Sequence, residues 1–229
     1  MATDHTFLKF AQLAYETPAS DDDALMKAQL IDSQISKAFF ADADHDTQYY
    51  TFVKDNGDLI FAFRGSSSTQ DFFVDALFFK TRMTETNAWV HTGFYKQFNA
   101  IKFSVMSSII TRCRKMKDDE SIRVTFVGHS LGGALATLCA LTAKLSLKSK
   151  VVVDCVTFGS PRVGNGAFAT LFNELVDMSK RFVNGSDAVT RNPRFYYSHV
   201  KGEQTIGDKG AWFSNIQDHY LDSYSKSLK

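Results

Sequence analysis

The sequence predicts an α/β fold in which a mostly parallel central sheet carries helices on both faces. Strand-like and helix-like runs alternate from residue 122 to residue 184, and strands that are connected through helices usually pair in parallel. The run Val151–Phe158 is almost continuously apolar, which is typical of a strand buried on both faces of a sheet. The 229 residues are 44% hydrophobic, enough for a sizeable core. We therefore expect one domain over residues 1–229.

The first part of the chain predicts two helices and a β-hairpin. Residues 7–14 place apolar side chains at helical spacing, and Asp21–Asp23 could begin a second helix. Asn56-Gly57 separates two β-rich runs, residues 48–53 and 58–63. Asn-Gly between such runs is a strong hairpin signal.

Further elements follow in the same way. Apolar stripes at helical spacing predict helices over residues 69–80 and 94–116. A helix is predicted to begin at Asn165, and a short strand is predicted over residues 181–184. Residues 197–200 also have the pattern of a short strand, within a tail that is otherwise rich in turns.

The most informative stretch is Gly128-His129-Ser130-Leu131-Gly132, which fits the pattern G-x-S-x-G. A strand-like run precedes it and a helix-like run follows it, which is the setting of a serine nucleophile elbow. The glycines leave room where strand and helix approach each other. Backbone N–H groups and the helix dipole would then stabilise an oxyanion beside Ser130. The alternative is a glycine-rich turn with an incidental serine. We expect His129 to pack beneath this turn, because neighbouring side chains on a tight turn point apart.

A serine nucleophile needs a base, and the base needs an acid that orients it. In this type of fold the chain order is serine, acid, histidine. Asp154 lies within a predicted strand and Asp177 within a predicted helix. Asp187 directly follows a predicted parallel strand, where the ligand-facing residues of open α/β sheets lie. Asp187 is the predicted acid, with a plain Asx-turn as the alternative.

Two histidines, His199 and His219, lie downstream of Ser130. The residues alone leave both open as the base and favour His219, since a C-terminal loop could bring it back over the site. Two N–H groups are needed to bind an oxyanion. Leu131 is expected to supply one of them, and Ser66, just past the predicted strand 58–63, is suited to supply the other.

Seven motifs follow one another along nearly the whole chain: Phe63-Arg64-Gly65-Ser66 with Asp71, His91-Thr92-Gly93-Phe94, Gly128-His129-Ser130-Leu131-Gly132-Gly133, Thr157-Phe158-Gly159-Ser160-Pro161-Arg162-Val163-Gly164, Asn184-Gly185-Ser186-Asp187, Tyr197-Ser198-His199-Val200 and Asp218-His219-Tyr220-Leu221-Asp222-Ser223-Tyr224. In this order they resemble the class 3, fungal-type lipase family. The resemblance implies an α/β-hydrolase-type fold and hydrolysis of carboxylic ester bonds in lipids. It assigns Ser130 as nucleophile and Asp187 as acid, and it assigns His219 as base, because Asp218-His219 matches the Asp-His pair in which the family's base lies. The oxyanion donors correspond to Ser66 and Leu131.

The resemblance also implies a short helical lid over about residues 68–79. Phe72, Phe73, Phe78 and Phe79 fall within this segment. They could cover an apolar groove above Ser130 or bury at an oil–water or membrane interface, which would stabilise an open lid. The alternative is that these side chains pack into the main core.

The favoured function is a serine hydrolase of the triacylglycerol lipase or esterase type that acts on a lipid or a small ester. Phospholipase A1 or feruloyl-type esterase activity, and a catalytically silent lipase-like binding protein, are the alternatives. The mechanism requires no cofactor, and no sequence cluster has metal-ligand spacing.

Charge and composition bear on the partners and on the compartment. A net charge of +1 offers no electrostatic case for nucleic-acid binding, and no transmembrane segment is expected. The polar N-terminus and the three cysteines favour a cytoplasmic location. A secreted protein whose signal peptide has been removed would have the same features.

Overall fold

A seven-stranded mixed sheet lies at the centre of the computed structural model, which describes residues 2–43, 47–66, 79–117, 119–208 and 215–228. The strand order in this sheet is β1-β2-β3-β6-β7-β8-β9, and β4 and β5 form a separate two-stranded sheet. The strands are β1 (Ile35–Ala43), β2 (Thr47–Lys54), β3 (Leu59–Phe63), β4 (Lys80–Arg82), β5 (Trp89–His91), β6 (Ile122–His129), β7 (Val151–Phe158), β8 (Met178–Asn184) and β9 (Glu203–Ile206).

The described α-helices pack on both faces of the large sheet. Their N-termini carry the caps that the sequence favours: the side chains of Thr3, Ser20 and Asn165 each accept a hydrogen bond from a backbone N–H in the first helical turn. The helices are α1 (Asp4–Leu13), α2 (Asp21–Ile31), α3 (Thr92–Cys113), α4 (Leu131–Leu147), α5 (Gly166–Leu175) and α6 (Leu221–Ser227), and Lys148–Lys150, Val189–Arg191 and Gln217–His219 are short 3₁₀ turns.

The antiparallel half of the sheet consists of β1, β2 and β3. The predicted hairpin joins β2 to β3, and Gly57 in its turn has a φ of 85°, a conformation that glycine adopts without strain. Strand β1 was not predicted. One of its faces is largely exposed, so its side chains lack the regular apolar alternation that identifies a strand from sequence.

The other half of the sheet is parallel, as predicted: β3, β6, β7, β8 and β9 all run in the same direction. The carboxyl ends of these strands therefore share one edge of the sheet, which we call the site edge. Ser130 directly follows β6 at this edge, and Asp187 lies three residues beyond the end of β8.

The core has two parts, one on each face of the sheet. The first contains side chains of α3, α4 and α5. The second contains side chains of α1, α2 and α6, so that Phe10 near the start of the chain and Tyr224 near its end belong to the same cluster. Successive residues of β3 alternate between the two clusters, with Phe61 in the first and Ala62 in the second, as the pleat of a strand requires.

Helix α4 is the central core helix. With the turn after it, up to Lys150, it is long and apolar enough to cross a membrane by length and composition alone. Core helices of ordinary globular proteins have the same properties, and 72% of the apolar stretch is buried inside this protein. Every residue from Leu131 to Ala143 is buried.

Three local expectations need correction. Residues 197–200 form no strand; Ser198 makes an isolated bridge with Gly164. Asp177 does not lie within a helix, because α5 ends at Leu175. Lys80, expected at the end of a helix, begins β4, and residues 69–78 of that predicted helix lie outside the described residues.

Candidate active site

Ser130 lies at the junction between β6 and α4, with φ 56° and ψ −126°. Positive φ is strained for a residue with a side chain, and nucleophile elbows have this strain. The neighbouring glycines explain how the turn forms: a Cβ at Gly132 would lie 2.2 Å from the carbonyl oxygen of Phe63, and one at Gly128 would lie 2.2 Å from the carbonyl oxygen of Gly132. A hydrogen bond of 2.9 Å from the Ser130 N–H to the Phe158 carbonyl holds the turn against β7.

The Ser130 hydroxyl is buried at the N-terminus of α4 but does not cap this helix. Among the described residues, Oγ has no hydrogen-bond partner. A buried polar atom without a partner is uncommon and calls for an explanation. This oxygen is therefore free to bond with a group that approaches from the site edge.

Asp187 and His219 form a buried pair. The imidazole Nδ1 of His219 lies 3.0 Å from Oδ1 and 2.9 Å from Oδ2 of Asp187, and neither side chain is exposed to solvent. Since a carboxylate only accepts hydrogen bonds, Nδ1 carries a proton, and in the neutral ring Nε2 then presents a lone pair. Nε2 is buried too, and no described residue bonds to it.

Asp187 accepts two further hydrogen bonds. The Val189 N–H donates to Oδ1 at 2.8 Å, and the Tyr224 hydroxyl donates to Oδ2 at 2.7 Å. Burial, together with the charge of Asp187, raises the pKa of Tyr224 well above its usual value, so Tyr224 remains a donor. Among the described residues, the carboxylate is thus held by three donors: the His219 ring, the Val189 N–H and the Tyr224 hydroxyl.

The loops that carry Asp187 and His219 are joined by Asp218. Its carboxylate accepts the Ser186 N–H at 2.8 Å, and its carbonyl accepts the Asn184 side-chain amide at 3.0 Å. The short turn after β8 is thereby tied to the 3₁₀ turn that contains His219. This tie fixes the acid and the histidine relative to each other.

His129 connects the elbow to His219. Its Nε2 lies 2.7 Å from the His219 carbonyl oxygen, and its Nδ1 lies 2.7 Å from the Tyr15 hydroxyl. A carbonyl can only accept, so Nε2 donates to it and Nδ1 accepts from Tyr15. The pKa of His129 is lowered to about 3, mainly by burial and to a smaller extent by the nearby His219 imidazole. His129 is thus neutral, with both ring nitrogens occupied beneath the elbow.

The loop that follows β3 lies beside the nucleophile. A Cβ on Gly65 would be 3.2 Å from Cβ of Ser130 and 2.2 Å from the Tyr15 hydroxyl, to which the Gly65 backbone is hydrogen-bonded. Ser66 comes next and is half-buried. Leu131, on the other side, is the first residue of α4 and is buried. The two residues predicted to bind an oxyanion therefore belong to segments that adjoin Ser130.

His199, the other histidine that the sequence left open, is placed differently. Its Nε2 donates to the Thr190 carbonyl at 2.5 Å, whereas the Asp187 carboxylate contacts His219. The pKa of His199 is lowered to about 4, mainly by burial and to a smaller extent by the positive charge of Arg181.

Phe79 is the one predicted lid residue that the structure describes. Its side chain is 68% exposed, although its carbonyl accepts hydrogen bonds from the Thr92 N–H and the Tyr197 hydroxyl. Phe72, Phe73 and Phe78 lie outside the described residues. The exposure of Phe79 argues against the alternative that this side chain packs into the main core.

Tyr15 and Tyr224 were not predicted to take part in the site. Tyr224 was part of a recognised motif but had no assigned role. Tyr15 lies 114 residues from His129, so no local pattern in the sequence indicates their contact.

Comparisons with known proteins agree on one family. The lipase (class 3) family model matches residues 60–197. The chloroplastic phospholipase A(1) DAD1 from Arabidopsis thaliana is 36% identical to this chain over 107 residues, which are 45% of this chain and 24% of that protein. A lipase from Rhizomucor miehei is 32% identical over 151 residues, which are 64% of this chain and 41% of that protein. The chain thus spans less than half the length of these curated relatives.

Solved structures show the same fold. A triacylglyceride lipase structure from Rhizomucor miehei superimposes with a TM-score of 0.80 at 22% identity, covering 95% of this chain and 92% of that chain. Lipase II from Rhizopus niveus has a TM-score of 0.76 at 23% identity, covering 96% and 94%. The predicted mostly parallel sheet with helices on both faces is confirmed by these neighbours.

Proposed function

Because this chain belongs to the class 3 lipase family, we propose that it is a serine hydrolase that cleaves carboxylic ester bonds of lipids, as a triacylglycerol lipase or esterase. One observation carries this proposal. Ser130 Oγ and His219 Nε2 are both buried and lack partners among the described residues, while the opposite nitrogen of His219 is held by Asp187. These are the two atoms between which a proton must move in a serine hydrolase.

In the proposed reaction, Ser130 Oγ attacks the ester carbonyl carbon while its proton passes to His219 Nε2. Asp187 stabilises the imidazolium that forms. The backbone N–H groups of Ser66 and Leu131 bind the negatively charged oxygen, and one such donor contributes roughly 10²–10³ in kcat. The bond to the alcohol then breaks, and His219 protonates the departing alcohol.

The second half returns the enzyme to its starting state. Water attacks the acyl–Ser130 ester and transfers a proton to His219. The acid product leaves as the Ser130–carbonyl bond breaks, and His219 returns the proton to Oγ. This sequence uses only the groups of the site and water.

Phospholipase A1 activity is the second candidate, and the resemblance to plant phospholipases A1 such as chloroplastic DAD1 favours it. Both activities use the same chemistry and differ in the alcohol part of the substrate. A catalytically silent protein is disfavoured because Ser130, Asp187 and His219 are all present.

The test is an activity profile against p-nitrophenyl esters, triacylglycerols and phospholipids. Hydrolysis of esters with a preference for triacylglycerols supports the lipase proposal, and preferential release of the sn-1 acyl chain from phospholipids supports the second candidate. Absence of hydrolysis of every ester would contradict both.

We also propose that about residues 68–79 act as a lid. Apart from Phe79 this segment lies outside the described residues, so the proposal is supported by its four phenylalanines and by the exposure of Phe79. Burial of apolar surface at a lipid interface contributes about 25 cal/mol per Å². Equal hydrolysis rates for emulsified and dissolved esters would contradict it.

The location of the protein also remains a proposal. The sequence favours the cytoplasm, whereas the relatives include chloroplastic plant proteins and a secreted fungal lipase, from Fusarium solani. Imaging of the tagged protein in its host tests this point.

A further inference from the structure

A lateral groove lies between the β1–β2 part of the sheet and helix α3. Its volume is about 820 Å³, within the range of ~300–1,000 Å³ that is usual for small-molecule sites. The pairing of β1 with β2 sets the order of side chains on its floor: Lys37 lies beside Val53, and Ala41 beside Tyr49. Residues 103–115, on α3 and just beyond it, form the opposite wall.

One end of the lateral groove is apolar. The Tyr49 hydroxyl donates to Ser104 Oγ at 2.8 Å, which joins floor and wall at this end. Next to Ser104, Phe103 is 85% exposed, and Phe39, which pairs with Thr51 midway along the floor, is 45% exposed. Two large aromatic side chains exposed beside one concave surface indicate an apolar contact site.

The other end is cationic. Arg112 donates through Nε to the Gly57 carbonyl at 3.0 Å, which places it at the hairpin turn, close to the strand pair that contains Lys37. Lys115 follows Arg112 on the same wall. In the part of the chain that the structure describes, none of these three cations has a carboxylate partner within 4.0 Å. Two further charged residues line this end: Lys54, which is paired with Asp32, and Asp55. The three cations outnumber this one additional carboxylate, so the end keeps a net positive charge.

The distance between the two ends suits a long apolar chain. Phe103 and Arg112 are nine positions apart on α3, which corresponds to about 14 Å along a helix, and Lys115 lies just beyond the end of this helix. Four hydroxyl side chains line the wall between them, namely Ser104, Ser107, Ser108 and Thr111. The groove therefore combines an apolar end, a polar wall and a cationic end.

We propose that the lateral groove binds a long-chain carboxylate, with its tail against Phe39 and Phe103 and its carboxylate against Lys37, Arg112 and Lys115. The charge pattern selects an anion with a single charged end, and the exposed aromatic rings select an apolar tail. The cationic end lies near the start of β3, and the residues that line the groove include none of Ser130, Asp187 and His219. The groove is thus a site separate from the catalytic serine, and binding there does not depend on the proposed ester hydrolysis.

The experiment measures binding of cis-parinaric acid, a fluorescent long-chain carboxylate, to the full chain. The charge-reversal variant Lys37→Glu/Lys115→Glu should raise the Kd about tenfold, since it exchanges two weak surface attractions for two repulsions. The matched control Lys9→Glu/Lys148→Glu reverses two exposed lysines outside the groove and should leave the Kd unchanged. The uncharged methyl ester should bind the unmodified protein at least about tenfold more weakly than the acid.

A second measurement locates the ligand. A photoreactive long-chain carboxylic acid should label residues 35–43 or 103–115, and Phe103→Ser should reduce this labelling. Phe103 is exposed, so its replacement does not open a core cavity. Labelling confined to residues around Ser130 and His219, or equal Kd values for the charge-reversal variant and its control, would overturn the proposal. Hydrolysis of a short soluble ester should be the same in all these variants, which separates this test from that of the proposed function.

Discussion

The imidazole Nδ1 of His219 lies 2.9 Å from Oδ2 of Asp187, and the Tyr224 hydroxyl lies 2.7 Å from the same oxygen. The carboxylate is thus held by a histidine from a 3₁₀ turn and by a tyrosine from α6. Neither donor adjoins Asp187 in sequence. The proposed mechanism depends on this arrangement, because it fixes both the tautomer and the direction of the His219 ring.

Replacement of Tyr224 by phenylalanine should weaken both stability and catalysis. The change removes one hydrogen bond to a buried carboxylate, and we expect a loss of about 1–3 kcal/mol in the free energy of unfolding. The kcat for a soluble ester should fall while KM changes little, since substrate contacts remain. Urea unfolding and steady-state kinetics measure both effects. Tyr220→Phe, at an exposed position, is the control, and a Tyr224→Phe variant that matches this control would contradict the expectation.

The two downstream histidines should respond differently to substitution. His219→Ala should reduce kcat to a level close to that of Ser130→Ala, because the base is lost. His199→Ala should keep most of the activity, since its Nε2 bonds to the Thr190 carbonyl. Rates of p-nitrophenyl ester hydrolysis decide the matter, and the opposite pattern would assign the base to His199.

Tyr15→Phe should disturb the site without touching a substrate. It removes the hydroxyl that donates to His129 Nδ1 and leaves this buried nitrogen without its partner. We expect about 1 kcal/mol of lost stability and a lower kcat at similar KM, because His129 also holds the His219 carbonyl. Tyr196→Phe, at a position 78% exposed, is the matched control. An unchanged kcat in Tyr15→Phe would show that the contact is dispensable.

The protein should lose stability as the pH falls below about 6.5. His129 and His199 have folded-state pKa values lowered to about 3 and about 4, so the unfolded chain takes up protons in this range while the folded protein does not. As the pH falls from the unfolded to the folded pKa, each histidine lowers the free energy of unfolding by up to ~1.4 kcal/mol per pH unit. For His199 this range runs from about pH 6.5 to about pH 4.

Urea unfolding at several pH values measures this dependence. His199→Gln should have a shallower pH slope than the unmodified protein, whereas His5→Gln, at an exposed position, should not change it. Identical slopes for all three proteins would contradict the assignment of a buried neutral His199.

The Gly159→Ala substitution should reduce activity more than the addition of a single methyl group suggests. Gly159 has a φ of 61°, and a Cβ there would lie 2.9 Å from both Asp187 Oδ2 and His219 Cε1. The added methyl would strain the backbone and displace the pair. Gly166→Ala is the control, because a Cβ at Gly166 meets only Ser198 Oγ, at 3.9 Å. Comparison of kcat in the two variants tests this expectation.

Patterns of neighbouring residues predict much of this fold, because the elements that they indicate are formed by residues close together in sequence. The elbow around Ser130 is recognisable because glycine spacing and the strand-to-helix change are both local. The parallel strand Val151–Phe158 was predicted with its observed ends, since burial on both faces makes it continuously apolar. Strands β1 and β9, at the two sheet edges, escaped prediction because their exposed faces dilute the pattern.

The contacts that complete the candidate site are long-range and could not be predicted in this way. Tyr15 and His129 are 114 residues apart, and Tyr224 and Asp187 are 37 apart. Both tyrosines meet the site because helices on one face of the sheet pack together, which depends on the whole fold. The lateral groove is a similar case, since its cationic end combines residues of β1, the hairpin turn and the end of α3.

Covalent labelling with a p-nitrophenyl alkylphosphonate, followed by peptide mapping, tests the central claim most directly. The phosphonate reacts with an activated serine and remains attached to it. The account predicts one label, on Ser130, together with complete loss of ester hydrolysis, and neither labelling nor hydrolysis in Ser130→Ala. A label on a different serine, or ester hydrolysis that persists in Ser130→Ala, would contradict it.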